Sequence, residues 1–299
     1  MSAPAVQLSL SSKEHIRAWH GVMDLTEVLP SKSWTVVGGS MVYLHCAERD
    51  TAPVRETNDV DAMLNAKDFP HILMQFTTAL KKVGFTSAPG ASMEGHHHRW
   101  LNDGAMVDVL IPRGLGDRTA QRKGADGGTT IQSPGGTQAL MRSEPVDVFV
   151  AGRKARIYRP SILGAIVGKS AAYGITQDPK RERHLRDLAM LLSVLVPGDD
   201  MAGITKADRR YLNSAFAALD SRLDSYDIPD ADLGLARMRS EVSKSEASDA
   251  RARQESAARV RSQKRTTADV RSGGHCGVAT AGNKPCRNPR GACPHHGSR

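Results

Sequence analysis

The sequence predicts an α+β fold: a small mixed β-sheet domain, a helical domain, and a small C-terminal knuckle rich in cysteine and histidine. Short apolar runs bounded by glycine-containing turns predict strands in the first half of the chain. Apolar residues at helical spacing dominate the following part. The expected divisions are a sheet domain at 1–159, a helical domain at 160–239, a basic linker or solvated helix at 240–274, and the knuckle at 275–299.

The first predicted elements are a helix, a strand and a second helix. Ser11 and Glu14 form a capping box that predicts the start of the first helix. The apolar run Trp34–Val37 predicts a short buried strand. A helix is predicted at 41–46, opened by the tripeptide Gly38-Gly39-Ser40.

The next elements alternate between strands and helices. A strand is predicted at Asp59–Leu64 and a helix at about 67–82. Strands at 97–101 and 105–111 are joined by Asn-Asp-Gly, a strong hairpin signal. The glycine-rich segment 113–137 is predicted to be a mobile loop.

Two further strands and three helices complete the predicted domains. Strands near 146–150 and 155–158 are expected to extend the sheet. Pro160 suits the first turn of a helix that ends at Tyr173. Helices are then predicted at about 179–195 and 206–223.

The net charge of +9 is concentrated at the C-terminus. Residues 1–250 contain 30 basic and 30 acidic residues, whereas residues 251–299 contain 11 basic and 2 acidic ones. Such a tail is attracted to a phosphate backbone, although a solvated, disordered end accounts for the composition equally well. Because no run approaches roughly 18 apolar residues and the N-terminus lacks a basic-then-apolar segment, an unexported cytoplasmic protein without membrane contact is expected.

Two aspartates on one predicted strand indicate a metal site. Side chains two residues apart on a strand project from the same face, so Asp59 and Asp61 can present two carboxylates together. Mg²⁺ prefers oxygen ligands and is often held by one or two carboxylates plus substrate phosphates. Asp108, in an otherwise apolar strand, is a candidate third ligand, because an unpaired aspartate there would be costly.

The glycine-rich helix start indicates a phosphate site. The free N–H groups and positive dipole end of the helix that begins near Ser40 attract phosphate. Gly38 and Gly39 allow a ligand to approach the backbone closely. Taken singly, Gly-Gly-Ser is also a common tight turn, and Asp-x-Asp also occurs at exposed strand edges.

This order of motifs resembles the nucleotidyltransferase superfamily of polymerase-beta type, over roughly residues 30–112. The resemblance implies that Gly39 and Ser40 contact nucleotide phosphates and that Asp59 and Asp61 bind two Mg²⁺ ions. It implies that Asp108 completes the metal site and activates the attacking hydroxyl. On this basis the domain at 1–159 is expected to be the catalytic domain of a nucleotidyltransferase.

The segment GKSAAYGITQDPKRERHLRDLAMLL resembles the later motifs of the AbiEii-type toxins of type IV toxin–antitoxin systems. In that family a lysine lies on one helix and an Arg-Asp pair on the next, which here are Lys169, Arg186 and Asp187. The resemblance implies that Lys169 and Arg186 bind a nucleoside triphosphate and that Asp187 positions the lysine or the acceptor. It also implies an RNA acceptor, such as the 3′ end of tRNA, and a cognate antitoxin. A charged helix face is the simpler interpretation of KRERHLRD.

The C-terminal knuckle predicts a structural zinc site. Three thiolates and one imidazole form a closed tetrahedral Zn²⁺ set, and the intervening glycines and prolines suit a knuckle without its own core. His275 or His295 could replace the histidine ligand. The predicted ligands are Cys276, Cys286, Cys293 and His296.

The predicted activity is therefore transfer of a nucleoside monophosphate from an NTP to RNA by two-metal catalysis, with the basic tail and knuckle as accessory RNA contacts. Two alternatives remain open: an antibiotic- or protein-modifying nucleotidyltransferase, and a non-catalytic nucleic-acid-binding protein.

One histidine of the run His96-His97-His98 could contact the nucleotide or acceptor, but consecutive histidines on a strand cannot all converge on one metal.

Overall fold

The computed structural model describes residues 4–88 and 96–272 and divides the chain into two compact units. The first unit is Met1–Val242 and the second is Ser243–Arg299. The proposed domain border after residue 159 lies inside the first unit. Among the described residues, no helix combines the length and the apolar character that crossing a membrane requires.

Nine strands form in the described part of the chain. They are β1 (Val6–Leu8), β2 (Trp34–Val37), β3 (Asp59–Leu64), β4 (Thr86–Ser87), β5 (Arg99–Asn102), β6 (Ala105–Pro112), β7 (Ile131–Ser133), β8 (Ser143–Val150) and β9 (Arg153–Pro160). The larger sheet has the order β2-β3-β6-β5-β4, with β7 beside β6, and its central strands β3 and β6 run parallel. A smaller sheet has the order β1-β8-β9.

The described residues also form ten helices. They are α1 (Lys13–Leu25), α2 (Gly38–Ala47), α3 (Ile72–Lys82), α4 (Asp117–Ala120), α5 (Gly136–Met141), α6 (Ile162–Tyr173), α7 (Glu182–Ser193), α8 (Lys206–Asp220), α9 (Leu223–Tyr226) and α10 (Ala231–Ser272). The part of α10 that belongs to the second unit is largely exposed as far as Arg261.

The two faces of the β3–β6 pair have opposite character. One face carries the fully buried apolar side chains of both strands and packs against α1, which contributes the buried Trp19 and Val22. Each valine, leucine or isoleucine side chain on this face contributes roughly 1.5–3 kcal/mol when fully buried. Because side chains alternate along a strand, the aspartates must project from the other face. The apolar side chains are Val60, Ala62, Leu64, Val107, Val109 and Ile111.

Several sequence-based boundaries are wrong. The N-cap of α1 is Ser12, whose side chain accepts a hydrogen bond from the backbone N–H of His15, and not Ser11. Helix α2 begins at Gly38, so the glycines form its first turn instead of preceding it. Helix α3 begins at Ile72, five residues later than expected. Pro160 ends β9, and Ser161 caps α6 by accepting from the N–H of Gly164.

The segment 113–137, predicted to be a loop, contains α4, β7 and the start of α5. Strands β8 and β9 do not extend the larger sheet: they pair with each other, and β8 also pairs with β1. The N-terminal strand that makes this possible is only three residues long, too short for a periodicity to appear. The predicted strand at β3 and the hairpin of β5 and β6 are confirmed, with Asn102 opposite Ala105 across the turn.

Candidate active site

A cavity of about 590 Å³ lies over the carboxylate-bearing face of β3 and β6. Its other walls are the first turn of α2 and the face of α6 that carries Gly164, Gly168 and Lys169. We call it the central cavity. Residues named from the sequence that line it are Gly38, Gly39, Asp59, Asp61, His98, Asp108 and Lys169.

Three carboxylates converge on the floor of the central cavity. One oxygen from each of Asp59, Asp61 and Asp108 lies within 4.8 Å of the other two. The parallel pairing of β3 and β6 produces this arrangement, because Asp61 and Asp108 are direct Cα partners. A compact set of carboxylate oxygens matches the ligands that Mg²⁺ prefers, so these residues could hold a divalent metal ion.

The three carboxylates have different partners. The Thr57 hydroxyl donates a hydrogen bond to Asp59 Oδ1 at 2.7 Å. Arg99 donates from Nε and Nη2 to the two oxygens of Asp108 at 2.9 and 2.7 Å, so the charge of Asp108 is already compensated. Asp61 has no comparable donor among the described residues. Burial, together with the charges of Asp59 and Asp108, raises its pKa to about 7. A cation at this point would relieve the repulsion.

Gly38 is required by its backbone conformation and by its contact with Asp61. Its φ angle is +70°, a region that residues with a side chain rarely adopt. A Cβ atom at this position would lie 1.6 Å from Asp61 Oδ2. Glycine therefore allows the first turn of α2 to approach the carboxylate cluster.

Replacing Gly38 with alanine is expected to lower the free energy of unfolding by about 2 kcal/mol, because the new side chain forces φ out of its region and displaces Asp61. It is also expected to remove the stabilisation of the fold by added Mg²⁺. Urea unfolding with and without Mg²⁺ measures both effects. Gly168→Ala is the matched control for stability: its Cβ meets no atom within 4 Å, and alanine favours a helix by up to about 1 kcal/mol. A Gly38→Ala protein as stable as the Gly168→Ala protein would contradict the expectation.

The first turn of α2 presents backbone N–H groups near the cavity. The N-cap residue Val37 supplies no side-chain hydrogen bond, so the helix start keeps unsatisfied donors of the kind that bind anions. Ser40 is placed differently from its glycine neighbours. It is fully buried, its hydroxyl donates to the backbone oxygen of Asp59 at 2.7 Å, and it does not line the central cavity. Any phosphate contact of Ser40 would have to come from its backbone.

A buried ionic triad lies beside the carboxylate cluster. Asp187 accepts from Lys169 Nζ at 2.6 Å and from Nε and Nη2 of Arg55 at 2.6 and 2.7 Å. Although burial alone would raise it, the pKa of Asp187 is lowered because Lys169 and Arg55 stabilise its charged form. Two cations share one carboxylate, so the triad carries a net positive charge. Both cations line the central cavity, where that charge is available to an anionic ligand.

The remaining residues predicted from the sequence differ in their positions relative to the central cavity. Arg186 does not line the central cavity; its guanidinium lies 5.4 Å from the centroid of the Tyr226 ring. The three consecutive histidines diverge as expected: His97 pairs with Asp126 at 2.6 Å, while His98 lines the cavity with its Nδ1 atom lacking a partner among the described residues. The predicted zinc ligands Cys276, Cys286, Cys293 and His296 lie outside the described residues.

The cavity residues that sequence reasoning missed include Arg55, Thr57, Arg99 and Arg183. The sequence contains an indication of a site position for three of these four residues. Arg55 and Thr57 directly precede the Asp-x-Asp strand, and the register of the Asn-Asp-Gly hairpin places Arg99 opposite Asp108. Only the fold reveals Arg183, which extends from the first turn of α7.

Comparisons with known proteins give little further information. No protein-family model matches the sequence, and no curated protein matches it. Among solved structures, the chain is similar to an antigenic nucleotidyltransferase-like protein from Paracoccidioides brasiliensis, with 17% identity and a TM-score of 0.43. The match covers 73% of this chain and 94% of that one. Similarity at this level is too low to establish a shared fold or function.

Proposed function

We propose that the protein is a nucleotidyltransferase that transfers a nucleoside monophosphate from an NTP to an acceptor hydroxyl. The observation that carries this proposal is the convergence of Asp59, Asp61 and Asp108, within 4.8 Å, on a cavity that also contains a glycine-rich helix start and Lys169. Carboxylates for metal and N–H groups and a lysine for phosphate are the groups that phosphoryl transfer needs at one place.

Each residue then has a defined task. Asp59, Asp61 and Asp108 would hold Mg²⁺, proposed as two ions, which when bound supply charge stabilisation to the attacking and leaving oxygens. The backbone N–H groups of Gly38 and Gly39 and the ammonium of Lys169 bind the triphosphate oxygens. Asp187 positions Lys169.

The proposed reaction exchanges one phosphorus–oxygen bond for another. The acceptor oxygen forms a bond to the α-phosphorus, the bond from that phosphorus to the bridging oxygen breaks, and pyrophosphate leaves. The proton of the attacking hydroxyl passes to the carboxylate cluster, with Asp108 proposed as the group that takes it up. Arg99 occupies one site on each oxygen of Asp108, and the remaining lone pairs stay available.

The acceptor is proposed to be RNA, with the 3′ end of tRNA as the specific candidate, and the protein to act as an AbiEii-like toxin with a cognate antitoxin. The support is the resemblance of the Lys169 and Asp187 segment to that family, together with the cationic tail after residue 250. The tail and a Zn²⁺ knuckle are proposed as accessory contacts to RNA.

Incubation with each α-labelled NTP, Mg²⁺ and total RNA is expected to transfer label to RNA from one or a few nucleotides. Asp59→Ala/Asp61→Ala should reduce transfer by about 1000-fold or more, because the metal ligands are lost. Glu27→Ala/Asp117→Ala removes two exposed carboxylates outside the cavity and should retain activity.

The outcomes of this experiment separate the candidate functions. Label on the protein or on an added aminoglycoside, with none on RNA, would replace the RNA acceptor by one of the alternatives. Absence of transfer to any acceptor would overturn the enzymatic proposal. A binding measurement on the protein without residues 251–299 tests the tail, which contributes nothing if RNA affinity and its salt dependence are unchanged.

A further inference from the structure

A second concavity, of about 570 Å³, opens beside the central cavity. Arg55 and Arg183 line both spaces, so the two are adjacent through these side chains. We call the second space the cationic groove. It is lined by one acidic residue, Glu182, by Ser225 and Tyr226, and by five cationic residues. The cationic residues are Arg55, Lys180, Arg183, Arg186 and Arg222.

The groove has more positive charge than its own acids can compensate. Arg55 pairs with Asp187, Arg183 with Asp178 at 3.2 Å, and Arg222 with Glu182 at 3.3 Å. The side chains of Lys180 and Arg186 are exposed and have no carboxylate within ion-pair distance among the described residues. These two cations are therefore available to a ligand.

Contacts within the protein hold the side chains of the groove wall. The guanidinium of Arg186 lies over the ring of Tyr226, an attractive cation–π arrangement. The Tyr226 hydroxyl donates to Glu182 Oε2 at 3.2 Å, and Arg222 contacts the same oxygen. Burial and the nearby Glu182 raise the pKa of Tyr226 to about 12, so the phenol stays neutral and does not repel an anion. An arginine held in this way loses less conformational entropy when it binds phosphate.

We propose that the cationic groove binds the phosphate backbone of a single-stranded RNA end whose terminal hydroxyl enters the central cavity. This inference rests on the proposed function, because it needs the acceptor to react in the central cavity. A nucleoside triphosphate places its charge beside Lys169 and the start of α2, so the further cations of the groove match another polyanion. Cations beside an aromatic ring are typical of single-strand binding. Arg186 then contacts the acceptor and not the NTP.

The test removes the two uncompensated charges from the full-length chain. Lys180→Ala/Arg186→Gln is compared with Lys81→Ala/Lys82→Ala, which removes two exposed charges from α3 outside the groove. Fluorescence anisotropy with a labelled single-stranded RNA across a salt series measures affinity, and a fluorescent NTP analogue measures nucleotide binding. The groove variant is expected to lose RNA affinity several-fold and to reduce the salt slope by roughly 0.7 for each lost phosphate contact. Its NTP affinity should be unchanged.

Three outcomes would overturn the inference: RNA binding by the groove variant equal to that of the wild type, an equal loss in the α3 variant, or displacement of RNA by poly-glutamate as effectively as by unlabelled RNA. The last outcome would indicate a site for an acidic protein. Failure of the proposed function is seen separately, as absence of NTP binding and label transfer in the wild-type protein.

Discussion

Asp61→Asn is expected to stabilise the metal-free protein at neutral pH and at the same time to abolish nucleotidyl transfer. Asp61 lies beside two other carboxylates, and burial together with their charges raises its pKa from 3.8 to about 7. The folded state therefore binds a proton that the unfolded state releases between these pH values. The contribution of Asp61 to stability therefore falls as the pH rises from about 4 to about 7, by on the order of 3 kcal/mol.

Thermal unfolding in EDTA across this pH range measures the effect. As the pH rises, the stability of the wild-type protein should fall relative to that of the variant, because the asparagine side chain cannot ionise. The comparison with the variant is needed because the lowered pKa values of the buried His15 and His184 add stability in both proteins over the same pH range. Added Mg²⁺ should stabilise the wild-type protein at neutral pH, because a ligand that binds only the folded state shifts the unfolding equilibrium. It should do so weakly or not at all in the variant. Asp117→Asn, at an exposed position outside the cavity, is the control.

The expectation fails if Asp61→Asn and wild-type protein show the same pH dependence. It also fails if Mg²⁺ stabilises both proteins equally, since Asp61 would then have no role in holding the metal. Retained transfer activity in the variant would remove Asp61 from the proposed catalytic group.

Breaking the buried triad is expected to be the most destabilising change in the cavity. The side chains of Lys169 and Asp187 are only 4% and 2% exposed. Without Asp187, the Lys169 ammonium would be buried without its carboxylate partner, whereas without Lys169 the Asp187 carboxylate would still accept two hydrogen bonds from Arg55. Asp187→Ala is expected to lower the free energy of unfolding by about 3–5 kcal/mol. Lys169→Met is expected to lower it by less, because Asp187 keeps its pair with Arg55. Urea unfolding of each variant gives these values.

The double variant Lys169→Met/Asp187→Leu separates stability from function. It replaces the pair with apolar side chains, and most of the lost stability should return, because no buried charge is left without a partner; Arg55, 28% exposed, can turn toward water. Transfer activity should stay lost, since Lys169 is proposed to bind phosphate. Recovery of activity together with stability would show that the triad is structural only.

Much of the candidate site could be predicted from local patterns. Alternation along a strand is a covalent consequence of extended backbone, so Asp59 and Asp61 had to share a face wherever β3 lies. The Asn-Asp-Gly turn sets the register of its hairpin, and that register carries the Arg99–Asp108 pair. Local patterns failed where an element is short, as for β1, or where packing selects the helix start, as for α2.

The sequence by itself determined the longer strands, the hairpin, the main helices and the chemical types of several site residues, because period and turn chemistry act over a few neighbouring residues. Only the tertiary structure decided which of those residues meet. The parallel pairing of β3 with β6 brings Asp61 to Asp108, and packing of α7 near the start of α2 brings Asp187 to Arg55, 132 positions away in the chain. The same packing turned Ser40 into the core and Arg186 toward Tyr226. These outcomes depend on contacts between distant segments, and no local pattern encodes them.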